Sequence, residues 1–277
     1  MGIGWLESLL YGLLFGFTEF VPVSAQAHSA LLRRMFCVED LHFLDLFVHL
    51  AVLISVFVAL RSRIRHLRRE QKLAGTQKRY RRHQPDLMAL MDLRLLKTAA
   101  VPMLLCFLVY PVTYELGNRF LLMAGLLILN GVILYYPRMM PAGNKDARML
   151  TPFDGVLLGV SSALGILPGI SRVGACMSAA QLRGADRRFA LDTALLLSIP
   201  ALLALIVVDL LWLILAGFAG ITFLVVLQAI LAAAAAGLGG HFGILLLRFL
   251  SVKAGFSTFA YYCWGAALFV FILFLII

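Results

Sequence analysis

Two short polar segments interrupt an otherwise apolar chain, and they carry residue types that can handle phosphate. The first, GFTEFVPVSAQAH over residues 16–28, places a carboxylate at Glu19 and an imidazole at His28 on either side of a proline. The second, PGISRVG over residues 168–174, contains Arg172. A carboxylate, an imidazole and a guanidinium can together bind an anion and move a proton. The pattern therefore predicts a phosphoryl-transfer site.

The charge of Arg172 allows two interpretations. An ionised arginine within a membrane costs about 2.5 to 3.5 kcal/mol on insertion scales, so Arg172 needs a partner, and Glu19 is one candidate. The pair could be a structural ion pair that only holds the two segments together. Alternatively, Arg172 binds phosphate oxygens bidentately, while Gly169 lets backbone N–H groups approach the ligand and Ser171 adds a hydroxyl. Glu19 could then bind a divalent cation, Mg²⁺ or Ca²⁺, or orient a water.

Composition places both segments in a membrane protein. The 277 residues are 62% hydrophobic and 14% charged, and the mean hydropathy is +0.95, far from the values of a soluble domain. Twelve of the 24 lysines and arginines lie between Arg61 and Lys97. The positive-inside rule assigns this basic segment to the cytoplasmic side, as a loop in contact with anionic lipid headgroups. It resembles no nucleic-acid-binding module, so we expect no nucleic-acid partner.

The apolar pattern predicts an all-α polytopic membrane protein with six full spans and two re-entrant helix hairpins that meet at the membrane midplane. The hairpins are predicted at residues 5–35 and 152–183, each interrupted at a proline. The spans are predicted at residues 41–60, 96–115, 120–137, 189–216, 221–247 and 256–277.

The charges give the two halves opposite orientations. With the basic segment of residues 61–97 inside, the first hairpin enters from the outer face and the second from the cytoplasm. Residues 1–137 and 138–277 then each contain one hairpin followed by three spans, which is an inverted-topology repeat. A GxxxG spacing recurs in both hairpins, beginning at Gly12 and at Gly155. We interpret it as a signal of close helix packing.

The two polar segments resemble the signature motifs of the BacA-type undecaprenyl-pyrophosphate phosphatases, written EGxTEFLPISSTGH and PGxSRSGAT. A third segment, LDLFVHLAVLISV over residues 44–56, is similar to the family's FDxxLHLGxLLAV stretch. The resemblance covers almost the whole chain, in order. It implies an enzyme of the bacterial inner membrane that removes the terminal phosphate of the C55 isoprenyl diphosphate carrier, and we expect its site to face the outer side. Such an enzyme recycles the carrier for peptidoglycan synthesis and confers bacitracin resistance.

The resemblance also assigns residues. Glu19, Ser24 and His28 match the second acid, the first serine and the histidine of the first motif, and Ser171 and Arg172 match the serine and arginine of the second. We therefore expect four catalytic residues, namely Glu19, Ser24, His28 and Arg172. The expected contacts to phosphate are Gly169, Ser171, Arg172 and Gln26, and the expected ligand of a divalent cation is Glu19.

Several positions depart from the family motifs and narrow the mechanism. The departures are Phe15 at the first acid, Ala25 at the second serine, Gln26 and Ala27 before the histidine, and Val173 and Cys176 in the second motif. Because the second serine is missing, the nucleophile is either Ser24 or an in-line water. His28 would act as general base or acid, and Arg172 would stabilise charge on the transferring group.

Other polar residues could support the phosphate site. Asp45 and His49 are spaced by four and so share a helix face, where they either hydrogen-bond to each other or lie behind the phosphate. Ser161, Ser162 and Cys176 could also support the site, although serines in membrane helices commonly hydrogen-bond to the backbone.

Two further functions remain open at this point. The chain could be a polyprenyl-phosphate transporter or flippase that moves the carrier without cleaving it, or a non-catalytic binder of the lipid diphosphate. In each case the expected partners are an isoprenyl diphosphate lipid and membrane lipids. A homodimer is compatible with the sequence.

Overall fold

The computed structural model describes residues 3–38, 42–77, 83–110, 113, 116–218, 220–253 and 255–276. Within these residues the chain forms eleven α-helices, and its extended pairing is limited to one isolated bridge between Lys145 and Ala185. The helices are α1 (Trp5–Phe20), α2 (Ala25–Met35), α3 (His42–Ala59), α4 (Arg61–Gly75), α5 (Leu87–Cys106), α6 (Phe120–Tyr135), α7 (Pro152–Ala163), α8 (Arg172–Leu182), α9 (Arg187–Leu215), α10 (Phe223–Lys253) and α11 (Phe259–Ile276).

The protein is an all-α polytopic membrane protein. Five stretches of the described residues are long and apolar enough to cross a membrane: His42–Ala59, Phe120–Met139, Arg187–Leu215, Phe223–Ser251 and Phe256–Ile276. The predicted span of residues 96–115 overlaps α5, which begins earlier and carries charged side chains in its first half. Residues 111, 112, 114 and 115 of that span lie outside the described residues, as do residues 41 and 277 at the ends of two others. The count of six spans stays a prediction.

Most of the basic segment of residues 61–97 is helical, so the prediction of a loop there was wrong. Helix α4 begins at Arg61, directly after α3, and α5 begins at Leu87. Arginine, lysine, glutamate and leucine are strong helix formers, so a high charge density does not prevent a helix. Glu70 is buried and accepts a hydrogen bond from the backbone N–H of Asp86 at 3.0 Å. This contact joins α4 to the start of α5.

Each predicted hairpin consists of two helices that meet at a proline-containing break. Pro22 separates α1 from α2, and Pro168 lies between a 3-10 turn after α7 and the start of α8. Proline lacks the N–H that a continuing helix would use, which ends the helix there. The tips of the two breaks touch, since the Gly169 N–H donates to Ser24 Oγ at 2.9 Å.

The helices of the two halves pack against each other reciprocally. Helix α1 packs along α10, and α7 packs along α5, while α3 pairs with α9 and α6 with α11. If α1 corresponds to α7 and α5 to α10, these are equivalent contacts, as an inverted repeat would produce. The repeat and its boundary at residues 137 and 138 remain predictions.

The GxxxG spacings mark the places where helix backbones touch. A Cβ added at Gly12 would lie 2.0 Å from the carbonyl oxygen of Ala232, and one added at Gly16 would lie 2.1 Å from that of Ala236. In the second half, a Cβ at Gly159 would lie 2.0 Å from the carbonyl oxygen of Ala99. The interpretation of these glycines as packing residues is confirmed.

We expect Gly16→Ala to destabilise the protein, because the new methyl group would force α10 away from α1. Overpacking of this kind costs about 1 to 3 kcal/mol and should lower the melting temperature in detergent by about 2 to 10 °C. The matched control is Gly125→Ala on α6, where an added Cβ has nothing within 4 Å. Equal melting temperatures of the two variants would contradict the close contact.

Candidate active site

An ion pair joins the two hairpins in the interior of the protein. Arg172 Nη1 lies 3.0 Å from Glu19 Oε1, and the side chains are 4% and 3% exposed. Arg172 begins α8, and Glu19 is in the last turn of α1. The Arg172 guanidinium carbon also lies 5.6 Å from the centre of the Phe107 ring, a cation–π contact. The partner that the sequence suggested for Arg172 is the one that the structure shows.

Arg172 retains hydrogen-bonding capacity despite its burial. Its Nε and Nη1 atoms have no hydrogen-bond partner in the described part of the chain, although Nη1 is within ion-pair distance of Glu19. The backbone N–H groups of Arg172 and Val173 open α8, and neither donates a hydrogen bond within the described residues. Helix N-termini and guanidinium groups both favour anions. The start of α8 can therefore bind a phosphate group.

Ser24 lies at the contact between the hairpin tips. Its Oγ accepts hydrogen bonds from the Gly169 N–H at 2.9 Å and from the Ala27 N–H at 3.4 Å. Its φ of +70° is unusual for a residue other than glycine and is kept only where neighbours support it. Because two N–H donors occupy the hydroxyl oxygen, Ser24 has the contacts of a helix cap.

Gly169 has a structural reason to be glycine. Its φ is +129°, and an added Cβ would lie 2.6 Å from Leu126 Cβ on α6. Its own N–H is bonded to Ser24, and the expected contact of Gly169 with phosphate stays a prediction. The neighbouring Ser171 caps α8, where its Oγ accepts the Gly174 N–H at 3.2 Å.

Asn130 on α6 connects both breaks, and the sequence analysis did not identify it. Its Oδ1 accepts the Ser171 N–H at 2.9 Å, and its Nδ2 donates to the Pro22 carbonyl at 3.2 Å. The side chain is fully buried. The sequence contains one sign of this role, a lone asparagine in the apolar stretch LLILNGVIL. A polar side chain within a span requires partners.

His28 lies apart from the ion pair. Its Nδ1 is 2.8 Å from the Ser24 carbonyl oxygen and its Nε2 is 2.7 Å from the Tyr262 hydroxyl on α11. The carbonyl can only accept, so Nδ1 carries the proton and Nε2 accepts from the tyrosine. No contact in the described residues joins His28 to Glu19 or Arg172. Its catalytic role stays a prediction.

Gln26 is also held by protein contacts. Its Nε2 donates to the hydroxyl of Tyr110 at 3.4 Å, and both side chains are buried. The expected contact from Gln26 to phosphate is untested and stays a prediction.

A buried polar network lies between α1, α3 and α9. His49 Nδ1 is 2.6 Å from Asp209 Oδ2, and His42 Nδ1 is 3.5 Å from Asp209 Oδ1. Asp45 Oδ1 accepts a hydrogen bond from the Tyr11 hydroxyl at 2.5 Å. Asp45 and His49 thus have different partners, and a bond between the two is not among the described contacts. Asp209, to which the sequence analysis gave no role, holds both histidines.

The network and the ion pair share one face of α1. Tyr11, Phe15 and Glu19 are spaced by four residues, so they lie along that face in order. The Phe15 ring meets the His49 ring edge-on at a centroid distance of 5.1 Å. Glu19 lies one turn further along α1, where it pairs with Arg172. His49 Nε2 is buried without a hydrogen-bond partner in the described residues. The imidazole that faces Phe15 therefore has one nitrogen available.

The donors in this region fit a hydrogen-bonded network better than a metal site. Donor atoms of His42, Asp45 and Asp209 lie within 4.8 Å of one another, but each of these side chains already hydrogen-bonds to the protein. The cation site expected at Glu19 fits poorly, because its carboxylate faces the Arg172 guanidinium and the residue one turn earlier is aromatic.

The remaining predicted supporting residues lie in the second hairpin. Ser161 Oγ donates to a backbone carbonyl at 2.9 Å, the Ser162 hydroxyl is buried without a partner in the described residues, and Cys176 is buried one turn after Arg172. None of the three has a described contact with the ion pair. Their supporting role stays a prediction.

An apolar groove on the protein surface lies next to the aromatic ring that packs on Arg172. It has a volume of about 620 Å³ and lies between α9 and the end of α5, with Leu104, Leu203 and Val207 among its walls. Phe107 lines the groove and also packs on the Arg172 guanidinium. One aromatic ring thus separates an apolar groove from a buried cation.

Comparisons with known proteins identify the family of the chain. The model of the family described as bacitracin resistance protein BacA matches residues 8–269. A protein named undecaprenyl-diphosphatase from Carboxydothermus hydrogenoformans is 31% identical over 269 residues, covering 93% of each chain. Another of that name from Methanobrevibacter smithii is 29% identical over 271 residues, covering 96% of each chain. Since the family model spans nearly the entire sequence, the chain belongs to the bacitracin resistance protein BacA family.

Proposed function

We propose that this protein hydrolyses undecaprenyl diphosphate to undecaprenyl phosphate and inorganic phosphate. The observation that carries the proposal is the Arg172 guanidinium, which is buried at the start of α8 with two nitrogens free of hydrogen bonds in the described residues. The shared name of the relatives, undecaprenyl-diphosphatase, gives the substrate. The product is the carrier form that cell-wall synthesis reuses, and removing the diphosphate deprives bacitracin of its target.

The proposed location is the bacterial inner membrane, with the site open to the outer side. The basic residues of α4 support this orientation, because clusters of arginine and lysine mark the cytoplasmic side. The first hairpin then enters from outside. The lipid diphosphate would reach Arg172 from the outer leaflet.

The two parts of the substrate bind to two neighbouring regions of the protein. The apolar groove takes the isoprenyl chain, and the start of α8 takes the terminal phosphate. Because the Phe107 ring covers Arg172 on the groove side, the ring has to move as the diphosphate enters. The guanidinium nitrogens that have no hydrogen-bond partner in the described residues then bind phosphate oxygens in place of the aromatic face.

A water molecule is the proposed nucleophile. Its oxygen forms a bond to the terminal phosphorus as the bond from that phosphorus to the bridging oxygen breaks, and undecaprenyl phosphate leaves with the electron pair. Ser24 is less suited to the attack, because its oxygen accepts two backbone N–H groups. Arg172 stabilises the charge that spreads over the transferring oxygens.

Two histidines are candidates to take the proton from the water. His28 is the family-motif residue, and its Nε2 is paired with Tyr262. His49 is oriented by Asp209 through Nδ1 and has a buried Nε2 without a partner in the described residues. A carboxylate that fixes one imidazole nitrogen leaves the other positioned for proton transfer.

Arg172→Lys is the sharpest test of the proposed hydrolysis. Lysine keeps a positive charge beside Glu19 but cannot bind phosphate oxygens with a planar fork, so we expect kcat to fall about 100-fold to 1000-fold. The measurement is phosphate release from C55 and C15 isoprenyl diphosphates in detergent, with and without a chelator. Arg65→Lys on the exposed face of α4 is the control and should retain parent activity. A parent protein that binds the lipid diphosphate but releases no phosphate would instead support a transporter or a silent binder.

Ser24→Gly tests the identity of the nucleophile. Glycine accepts the positive φ that Ser24 adopts, so the backbone of the break is preserved while the hydroxyl is lost. With water as nucleophile, we expect phosphate release within about tenfold of the parent, the loss reflecting a weaker cap. Loss of activity to the background rate, in a variant that melts within a few degrees of the parent, would identify Ser24 as the nucleophile.

His49→Gln and His28→Gln separate the two candidate bases. Glutamine is close to histidine in size and is polar, but its side-chain amide cannot take a proton from the water. If His49 takes the proton, its variant should lose about 100-fold in kcat with an unchanged KM, and Asp209→Asn should show a similar loss. Asp192→Asn, on the same helix as Asp209, is the control. A large loss of kcat in His28→Gln alone would assign the proton to His28.

A further inference from the structure

We propose that the protein has a binding site for an anionic phospholipid, distinct from the Arg172 site. A cavity of about 560 Å³ lies between the end of α2, the turn before α6 and the end of α11. Arg34 and Arg119 line it on one side, and Leu121, Leu122 and Phe274 provide apolar walls. Two cationic side chains next to an apolar surface match a lipid with a negative headgroup and an acyl chain.

No carboxylate among the described residues neutralises the charge at this cavity. Neither Arg34 nor Arg119 forms an ion pair within the part of the chain that the structure describes. Arg148, Arg172 and Arg183 each pair with a carboxylate. The two unpaired side chains come from different elements and are both exposed. An external anion is therefore the group that their position favours.

The apolar walls decide which kind of anion fits. Leu121, Leu122 and Phe274 are 55%, 40% and 44% exposed, so a free phosphate ion would leave this surface in contact with solvent or lipid. An acyl chain would cover it while the phosphodiester meets the guanidinium groups. A zwitterionic lipid brings its own cation to the same place, which weakens its attraction to arginine.

Arg34 and Arg119 lie on the side of the membrane where basic residues are not expected. In the predicted topology, the end of α2 and the start of α6 face the outer side, whereas the positive-inside rule concentrates arginine and lysine on the cytoplasmic side. Two outer arginines that face a cavity thus call for an explanation separate from membrane orientation. A bound anionic lipid of the outer leaflet supplies one, and it does not depend on the proposed hydrolysis.

The test uses the purified full-length protein in a neutral detergent. Phosphatidylglycerol and phosphatidylcholine with identical acyl chains are added in turn, and binding is followed by native mass spectrometry and by the melting temperature. The variant Arg34→Gln/Arg119→Gln is compared with Arg65→Gln/Arg68→Gln, which removes two exposed arginines from α4. Inorganic phosphate alone forms a third arm.

We expect phosphatidylglycerol to bind the parent more tightly than phosphatidylcholine and to raise its melting temperature. The Arg34→Gln/Arg119→Gln variant should lose about 25-fold in affinity, because each arginine near an anionic headgroup contributes about a factor of five, while the α4 variant keeps the tight site. If the double variant does not fold, Arg119→Gln alone should lose about fivefold. Equal binding of both lipids, an equal shift with inorganic phosphate, or loss confined to the α4 variant would overturn the proposal.

Discussion

A positive charge inside an apolar protein has to be compensated, and the arrangement of both hairpins follows from how Arg172 is compensated. Its partner Glu19 comes from the other half of the chain, so the two halves must assemble before either charge is buried. The breaks around Pro22 and Pro168 bring the two residues together, and the backbone contacts at Gly12, Gly16 and Gly159 hold the outer helices close enough for the breaks to meet. A group with unfilled hydrogen-bonding capacity is thereby kept in an environment from which water is largely excluded. Such an environment strengthens its attraction for phosphate.

The polar residues around this pair belong to two separate networks. One contains Ser24, Gly169, Ser171 and Asn130, and it fixes the backbone of the breaks. The other centres on Asp209, and it holds side chains of α3 against α9. The first network consumes hydroxyl and backbone groups that would otherwise face a ligand, whereas the second leaves an imidazole nitrogen unpaired. In this chain, residues with the types expected for catalysis therefore serve partly as structural supports.

The sequence was informative where a physical rule acts locally. Apolar length gave the helices and proline gave the breaks, and two short polar segments, each with one charged residue, suggested the Glu19–Arg172 pair. The rules failed where a single polar residue lies in a long apolar helix and its partner is distant in sequence. Asn130 and Asp209 are single polar residues in long apolar helices, and nothing near them in the chain indicates which side chains they contact. The prediction of a loop at residues 61–97 was wrong because a high charge density does not cancel the helix propensity of arginine, lysine, glutamate and leucine.

The position of Asn130 couples the two breaks. One side-chain amide accepts from the Ser171 N–H and donates to the Pro22 carbonyl, so a displacement of α6 is transmitted to both hairpins at once. We expect an opening that admits a phosphate at one break to strain the hydrogen bond at the other. The two halves of the protein should therefore respond to a ligand in concert, and a lipid that presses on the outer surface of α6 would have a direct mechanical route to the interior.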